Sequence, residues 1–390
     1  MNISSALTKL IILASLSAHS PLLAKEPAIK QATIKGLLVI ELANGSFAGT
    51  ASQMNATAVP AEADQFSVGF NQEVGDFMEK ATVEVEKFMR VRHEGLLPTG
   101  NRIELAFGDK YSPKDGPSAA VVCALLVDSI ITGDEIDPGF AATGDMTATG
   151  QVRSIGGLTG KISGAIKKKC TLIAAPKVNE QSINDIYVKD GIEALHQIQI
   201  FTLESFEDAR NLAMKERPSE VQQAIDEFSE VQKVLKRDEK FVHNGKVKQK
   251  LRKIVQLCPN HTSARLLYLH AVGKGPKKLS LVGSLAAIDE AAAAFSLMLD
   301  DGSYTESRGN DDVLGKLANE IARLRPSLDP RTIGYCDSYD DFVVFVKDIR
   351  AQKRLNPSER AKIRSMSKNI ESERNKLLTN EEIQEELMLE

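Results

Sequence analysis

The chain has 390 residues, of which 42% are hydrophobic and 26% are charged. This composition is typical of a soluble globular protein rather than a disordered tail, and the length is sufficient for two domains with their own cores. The formal net charge of −4 leaves no positive excess for a phosphate backbone, and no stripe of Lys and Arg is interleaved with aromatic residues. We therefore expect no nucleic-acid partner.

The N-terminus has the pattern of a cleaved export signal. Lys9 precedes the apolar stretch LIILASLSA, and the small residues Ala18 and Ala24 offer cleavage points. The stretch is too short to cross a bilayer, and no later segment approaches about 18 uninterrupted apolar residues. We predict a signal peptide over 1–24, a short N-terminal segment over 25–32, no stable membrane span, and a periplasmic or secreted location.

The next part of the chain alternates between two kinds of pattern. The runs IKGLLVIEL, NRIELAF and CTLIAA predict strands, and the amphipathic segment 71–92 predicts a helix. This alternation indicates an α/β or α+β fold. We predict one domain of this class over 33–214.

Beyond about residue 215 the pattern is helical throughout. Apolar residues recur at the spacing of one helix face, at Val221, Ile225, Phe228, Val231 and Leu235. Further helices are predicted at about 246–257, 261–273, 279–299, 310–324, 338–353, 357–377 and 380–389. We predict an all-α C-terminal region over 215–390, in which no catalytic motif is visible.

Residues that often hold metals or form disulfides are scattered. The four cysteines form no CxxC pair and lie far apart, at Cys123, Cys170, Cys258 and Cys336. Cys123 and Cys170 stand in apolar runs typical of a core. An exported chain could pair its cysteines, but the spacing does not say which. The six histidines never have HExxH spacing, so we predict no metal and no cofactor.

The segment KDGPSAAVV raises a sharper question about Ser118. In a structural interpretation, Asp115 or Gly116 caps a helix, Pro117 occupies its first turn, and Ser118 tolerates a position at the helix start. In a functional interpretation, the serine oxygen lies in the positive field of a buried helix N-terminus, where free N–H groups can bind an oxyanion. A serine nucleophile also needs a base.

No histidine is a convincing base, so the candidate is Lys161 in IGGLTGKIS. A lysine at a helix N-terminus feels an unfavourable dipole, and burial among apolar groups lowers its pKa further, so that it can accept the serine proton. The stretch is not a phosphate-binding loop. The GxxxxGK[ST] motif needs Gly where Ile155 stands and Ser or Thr where Ile162 stands.

At these residues the sequence resembles the proteolytic domain of the Lon family of serine-lysine peptidases. PKDGPSAA, followed by TGDMTATGQVRSIGGLTGK, carries the resemblance, which extends over about 33–214. It implies that Ser118 is the nucleophile, that Lys161 is its general base, that Thr143 helps to orient the lysine amine, and that Asp115 shapes the site. The structural alternatives are a strand threonine before a turn for Thr143 and a helix cap for Asp115, and a cap is compatible with a place in the site.

The chain also departs from the family pattern. Ala120 replaces the usual Gly after the SA pair, Thr159 and Gly160 replace a charged pair before the lysine, and Glu104 and Ala106 stand where many members carry histidines. No Walker A motif occurs in the sequence, and a helical region follows the domain instead of an ATPase module preceding it. Together with the signal pattern, the resemblance therefore implies an exported, ATP-independent serine endopeptidase that cuts unfolded or accessible polypeptide segments.

Two expectations concern assembly. Lon-type domains form six-membered rings, so a homo-oligomer is expected here, and the helical region would either support it or recruit a protein partner of unknown identity. The competing hypothesis is a Lon-fold scaffold that has lost turnover and binds partners through its helices. Retention of Ser118, Lys161 and Thr143 together favours the peptidase, because a scaffold needs none of them.

Overall fold

The computed structural model describes residues 26–41, 47–61, 65–108, 115–301, 310–349 and 356–389. The predicted signal peptide lies outside these residues. The described chain begins with a mixed sheet and helices and continues with helices alone, as the sequence predicts.

A seven-stranded mixed sheet has the order β3-β4-β2-β1-β5-β8-β9, and a separate pair, β6 and β7, forms a small hairpin. The strands are β1 Gln31–Glu41, β2 Phe47–Pro60, β3 Ser67–Phe70, β4 Asn101–Phe107, β5 Phe140–Ala142, β6 Asp145–Met146, β7 Val152–Arg153, β8 Leu172–Pro176 and β9 Gln199–Leu203. β1 and β2 are antiparallel, with Gln31 opposite Thr57. The strands β5, β8 and β9 continue the sheet from β1 in parallel.

The helices of this part are α1 Asp76–Arg92, α2 Ala120–Thr132, α3 Leu158–Lys167, α4 Glu180–Asp190, α5 Glu193–Gln197 and α6 Phe206–Ala213. The helix α2 is the central one, because every residue from Ala120 to Ile131 is buried. Its sequence, AVVCALLVDSIIT, is apolar on nearly all sides, which is typical of a helix surrounded by protein. Ser118 lies just before this buried helix.

The later helices lie close to their predicted positions. They are α7 Ser219–Leu235, α8 Gly245–Leu257, α9 Thr262–Ala271, α10 Leu281–Asp301, α11 Asn310–Leu324, α12 Ile333–Ile349, α13 Pro357–Leu378 and α14 Glu381–Leu389. The largest difference is at α12, which begins at Ile333 rather than at 338. A 3₁₀ turn over Pro330–Thr332, capped by the side chain of Asp329, leads directly into this helix.

The buried apolar side chains form two clusters. The first runs from Ala32 to Ala271 and includes side chains of α7, α8 and α9. The second runs from Leu279 to Ile383. The secondary-structure pattern thus changes near residue 215, whereas the boundary between the two apolar clusters lies between residues 271 and 279.

The start of α9 lies along the outer edge of the sheet, at β9. The N–H of Thr202 in β9 donates to the carbonyl of Asn260 at 2.9 Å, and the N–H of Ile200 donates to Ser263 Oγ at 2.9 Å. An open strand edge presents unpaired N–H and C=O groups. Residues at the start of α9 form hydrogen bonds with these groups of β9.

None of the helices in the described ranges combines the length and the apolar character that a bilayer span requires. The four cysteines are buried free thiols, and burial raises the pKa of Cys123 to about 12. Such a thiol stays protonated at neutral pH and behaves as a small apolar core residue.

Candidate active site

The backbone turns sharply just before Ser118. Gly116 has φ 96° and ψ 137°, and a short 3₁₀ helix over Pro117–Ala119 leads into α2. A side chain at residue 116 would have open space around it, so glycine is required by the positive φ rather than by crowding. The turn leaves Ser118 partly exposed at the end of a buried helix.

Asp115 caps a helix, but a different one from the helix that the sequence suggested. Its Oδ1 accepts the N–H groups of Phe77 at 3.1 Å and Met78 at 3.2 Å, in the first turn of α1. The same oxygen accepts the N–H of Gly116 at 2.7 Å. The N-cap residue of α1 is Gly75, where a Cβ would lie 2.1 Å from Asp115 Cγ. Asp115 therefore ties the start of α1 to the turn that carries Ser118.

Thr143 is buried and contacts the backbone of Ser118. Its Oγ1 donates to the Ser118 carbonyl at 3.1 Å, and its N–H donates to the carbonyl of Ala174 in β8 at 3.1 Å. The N–H of Gly144 also donates to the Ser118 carbonyl, at 2.7 Å, and the Gly144 carbonyl accepts the N–H of Val121 at 3.1 Å. The end of β5 and the start of α2 are thus fastened together around Ser118.

Lys161 lies in the first turns of α3 and is only 3% exposed. Its N–H donates to the carbonyl of Gly157 at 3.0 Å, and Gly157, with φ 65°, is the N-cap residue of the helix. The neighbouring side chains of Leu158 and Ile162 are buried. The structure therefore places the lysine on the interior side of α3.

The helix α3 approaches β2 so closely that the contact consists of backbone. A Cβ at Gly49 would lie 1.8 Å from the carbonyl oxygen of Gly160, and a Cβ at Gly164 would lie 2.3 Å from the carbonyl carbon of Gly49. Only glycine fits at positions 49 and 164. The sequence analysis did not single out these glycines, although the spacing of four between Gly160 and Gly164 on one helix face was an available signal.

A buried ionic cluster behind the site was also missed. Asp128, in the middle of α2, accepts His93 Nε2 at 2.8 Å, Arg92 Nε at 3.0 Å and Arg210 Nε at 2.9 Å. Burial alone would raise the pKa of the Asp128 carboxyl, but the hydrogen bond from His93 and the charge of Arg210 hold that pKa below its ordinary value. The cluster joins α1, α2 and α6.

A second buried carboxyl, Asp145, stands at the start of the β6–β7 hairpin. Its Oδ2 lies 2.8 Å from Arg153 Nε across the hairpin. Burial raises the pKa of Asp145, against the lowering effect of Arg153. The tip of this hairpin contacts α1, since the N–H of Ala148 donates to Glu84 Oε2 at 3.1 Å. Within the described ranges, no group of three or more His, Cys, Asp or Glu side chains is placed to hold a metal ion.

Comparison with known proteins gives the class of the domain. Residues 26–215 match the family model of the Lon protease (S16) C-terminal proteolytic domain. Lon protease 1 of Bacillus subtilis is 35% identical over 131 residues, which are 30% of this chain and 16% of that protein. The Lon protease of Methanosarcina barkeri is 29% identical over 149 residues, 36% of this chain and 18% of that protein. That of Leptospira interrogans is 34% identical over 116 residues, 29% of this chain and 14% of that protein.

Residues 26–215 are therefore a Lon-type proteolytic domain, the peptidase domain of a family of serine peptidases. The family model covers the part of the chain that the motifs indicated, and it ends where the helical region begins. The chain spans less than a fifth of the length of the three relatives.

Proposed function

We propose that the chain is an exported, ATP-independent serine endopeptidase in which Ser118 and Lys161 form the catalytic dyad. The observation that carries the proposal is a lysine with only 3% of its surface exposed, inside a domain of serine-peptidase type. Burial disfavours the charged form of an amine, and a neutral amine is what a general base requires. Ser118, by contrast, is partly exposed.

In the proposed reaction the Lys161 amine removes the proton of Ser118 Oγ, which attacks the carbonyl carbon of a peptide bond. The protonated amine then gives this proton to the nitrogen of the leaving peptide as the C–N bond breaks. A water molecule, deprotonated by the same amine, attacks the ester carbon of the acyl-enzyme. The ester C–O bond then breaks, the protonated amine returns the proton to Ser118 Oγ, and the acid product leaves. Thr143 supports the base, because its hydroxyl proton goes to the Ser118 carbonyl and its lone pairs can accept a hydrogen bond from the amine.

The oxyanion needs N–H donors near Ser118. We propose that the donors lie between Asp115 and Ser118. The N–H of Gly116 donates to the Asp115 carboxylate, and Pro117 has none. The N–H of Ser118 belongs to the first turn of the helix, where N–H groups have no intrahelical acceptor. We therefore assign the Ser118 N–H as an oxyanion donor.

The remaining parts of the proposal rest on the sequence and on analogy with the family. Independence from ATP follows from the lack of a GxxxxGK[ST] motif, and export follows from the signal pattern over 1–24. A periplasmic or extracellular peptidase without a nucleotide motor would act on unfolded or accessible polypeptide segments. A ring-shaped homo-oligomer is proposed by analogy with the family.

The test is to incubate the chain from residue 25 onward with reduced, carboxymethylated protein in the absence of nucleotide. Cleavage is expected, together with covalent labelling of Ser118 by a fluorophosphonate, and both should be lost in Ser118→Ala. Cleavage that needs ATP would contradict the energetic part of the proposal. A wild-type chain that neither cleaves nor labels would favour the alternative of a Lon-fold scaffold.

A further inference from the structure

The helix that carries Lys161 lacks a cap of its own. Its N-cap residue is Gly157, and no side chain of the helix caps the first turn. In a capping box, an acidic residue at the third helical position accepts the N–H of the N-cap residue, as Asp208 does for Ser205 in α6. The third position of α3 is Gly160, which has no side chain.

The missing carboxylate comes from the other end of the chain. Glu386, in α14, accepts the N–H of Gly157 through Oε1 at 3.1 Å. A carboxylate at a helix N-terminus both satisfies a free N–H and complements the helix dipole. Glu386 therefore supplies, across 229 positions of sequence, what an acidic residue at position 160 would supply locally.

The same device occurs at another helix of this protein. At the start of α10, Ser280 Oγ accepts the N–H of Gly283, and the N–H of Ser280 donates to Asp185 Oδ1 of α4 at 2.8 Å. The third helical position is again a glycine, where a Cβ would lie 2.3 Å from Asp185 Oδ2. A carboxylate from a distant helix that caps a glycine-containing first turn is thus a recurrent element of this fold.

The position of Glu386 is fixed by the second core. Ile383, three residues earlier in α14, is 3% exposed and belongs to the second apolar cluster. Glu382, four residues earlier, pairs with Arg331, with Arg331 Nη1 2.7 Å from Glu382 Oε1. Residues three and four apart share one face of a helix. The face of α14 that is anchored to the helical region is therefore the face that reaches α3.

We propose that Glu386 is a positioning residue for Lys161, contributed by the helical region that lies outside the family match. Gly157 connects the two, because its N–H donates to Glu386 and its carbonyl accepts the N–H of Lys161 at 3.0 Å. The capped turn holds the start of α3, and with it the base, in register with Ser118. The inference rests on the proposed function for its catalytic consequence, but the cap itself is independent of activity.

The experiment compares Glu386→Ala and Glu386→Gln with Glu385→Ala in the full chain. Glu385 is the neighbouring exposed residue of α14, so its replacement removes the same charge without touching α3. In Glu386→Ala we expect kcat to fall at least about tenfold with KM unchanged, because a small displacement of a catalytic group has effects of this size or larger. Glu386→Gln keeps an acceptor oxygen and should lose less, and Glu385→Ala should match the wild type.

A second measurement does not depend on turnover. Hydrogen exchange followed by mass spectrometry should show faster exchange in peptides spanning 155–165 of Glu386→Ala, and no change in Glu385→Ala. Unchanged exchange would overturn the inference whether or not the protein is a peptidase. If the wild type is inactive but exchange responds as expected, the proposed function fails and the cap stands.

A rescue variant provides a third test of the positioning role. A Cβ at Gly160 would have only ordinary contacts, the nearest being Gly49 N at 3.5 Å. Gly160→Glu in the Glu386→Ala background should restore kcat, because it supplies a capping-box carboxylate within α3. A folded double variant that is as slow as Glu386→Ala would refute the positioning role. If the double variant does not fold, exchange in the single variants decides.

Discussion

The glycine contact between α3 and β2 allows a test in which two similar substitutions have opposite expected results. Gly49→Ala places a methyl group 1.8 Å from the Gly160 carbonyl oxygen and 2.5 Å from the backbone nitrogen of Lys161. These are backbone atoms that no side-chain rotation can move away. Gly160→Ala, on the other side of the same contact, brings its methyl group to 3.5 Å from the nearest atom of Gly49.

The magnitudes follow from these distances. A carbon and an oxygen need more than 3 Å between them, so Gly49→Ala requires α3 to move away from β2 by more than an ångström. Overpacking of this kind costs about 1–3 kcal/mol. Gly160→Ala has no such cost, and alanine is favoured over glycine within a helix by about 1 kcal/mol. We therefore expect the free energies of unfolding of the two variants to differ by at least about 2 kcal/mol, with Gly49→Ala the less stable.

Thermal and denaturant unfolding, followed by circular dichroism, would measure the stability difference, and peptide cleavage would measure its effect on the site. Gly49→Ala should also lose most of its activity under conditions where it is still folded, because the displaced helix carries Lys161. Gly160→Ala should be folded and active. If Gly49→Ala were as stable and as active as Gly160→Ala, the close approach of α3 to β2 would not hold the base in place.

Three further predictions concern buried charges. Lys161→Met should abolish cleavage at pH 7 while the denaturant midpoint stays the same or rises. The reason is that methionine keeps the apolar stem of the lysine without an amine that must be desolvated. A large loss of stability would instead indicate that Lys161 forms a structural ion pair. Asp128→Asn should destabilise by about 1–3 kcal/mol, since the hydrogen bonds from His93, Arg92 and Arg210 lose their charged acceptor. Because the folded pKa of Asp128 is depressed, the pH-dependent part of this contribution is fully present above the unfolded value of about 3.9 and is lost as pH falls through the folded pKa. The denaturant midpoints of the variant and the wild type should therefore begin to approach each other only below about pH 4. Asp185→Ala should lower the stability of the second core by about 1 kcal/mol, as loss of a cap does, with an unfolding transition that separates from that of the first core; a single unshifted transition would contradict the capping of Ser280.

Local patterns were sufficient to predict most of the elements. Helices over 246–257 and 310–324 were predicted within a residue or so of α8 and α11, because apolar spacing and capping residues act within one or two turns. The change from mixed structure to helices near residue 215 was predicted for the same reason. The Lon-type domain was predicted from two motifs, and residues 26–215 match its family model.

The catalytic assignments are predictions of a different kind. The proposed role of Lys161 as a base assumed that it is buried among apolar groups, and it is buried. The serine was predicted at the start of a buried helix, and α2 is such a helix. That these two residues act as a dyad stays a prediction.

What the sequence by itself determined is therefore the helices of the C-terminal region, part of the secondary structure before them, the family of the first half and the residue types of the site. Only the tertiary structure decided which distant segments support that site. The structural interpretation left Asp115 or Gly116 as the cap of the helix after Ser118, and Asp115 caps α1 instead. The helices α7 to α9 pack with the sheet, and Glu386 reaches Gly157. The physical reason is the range of the interactions. Propensity and periodicity are set by neighbours within a few residues, whereas caps and glycine contacts of this kind join segments far apart in the chain. A glycine or an acidic residue looks the same in the sequence whether or not it has such a partner.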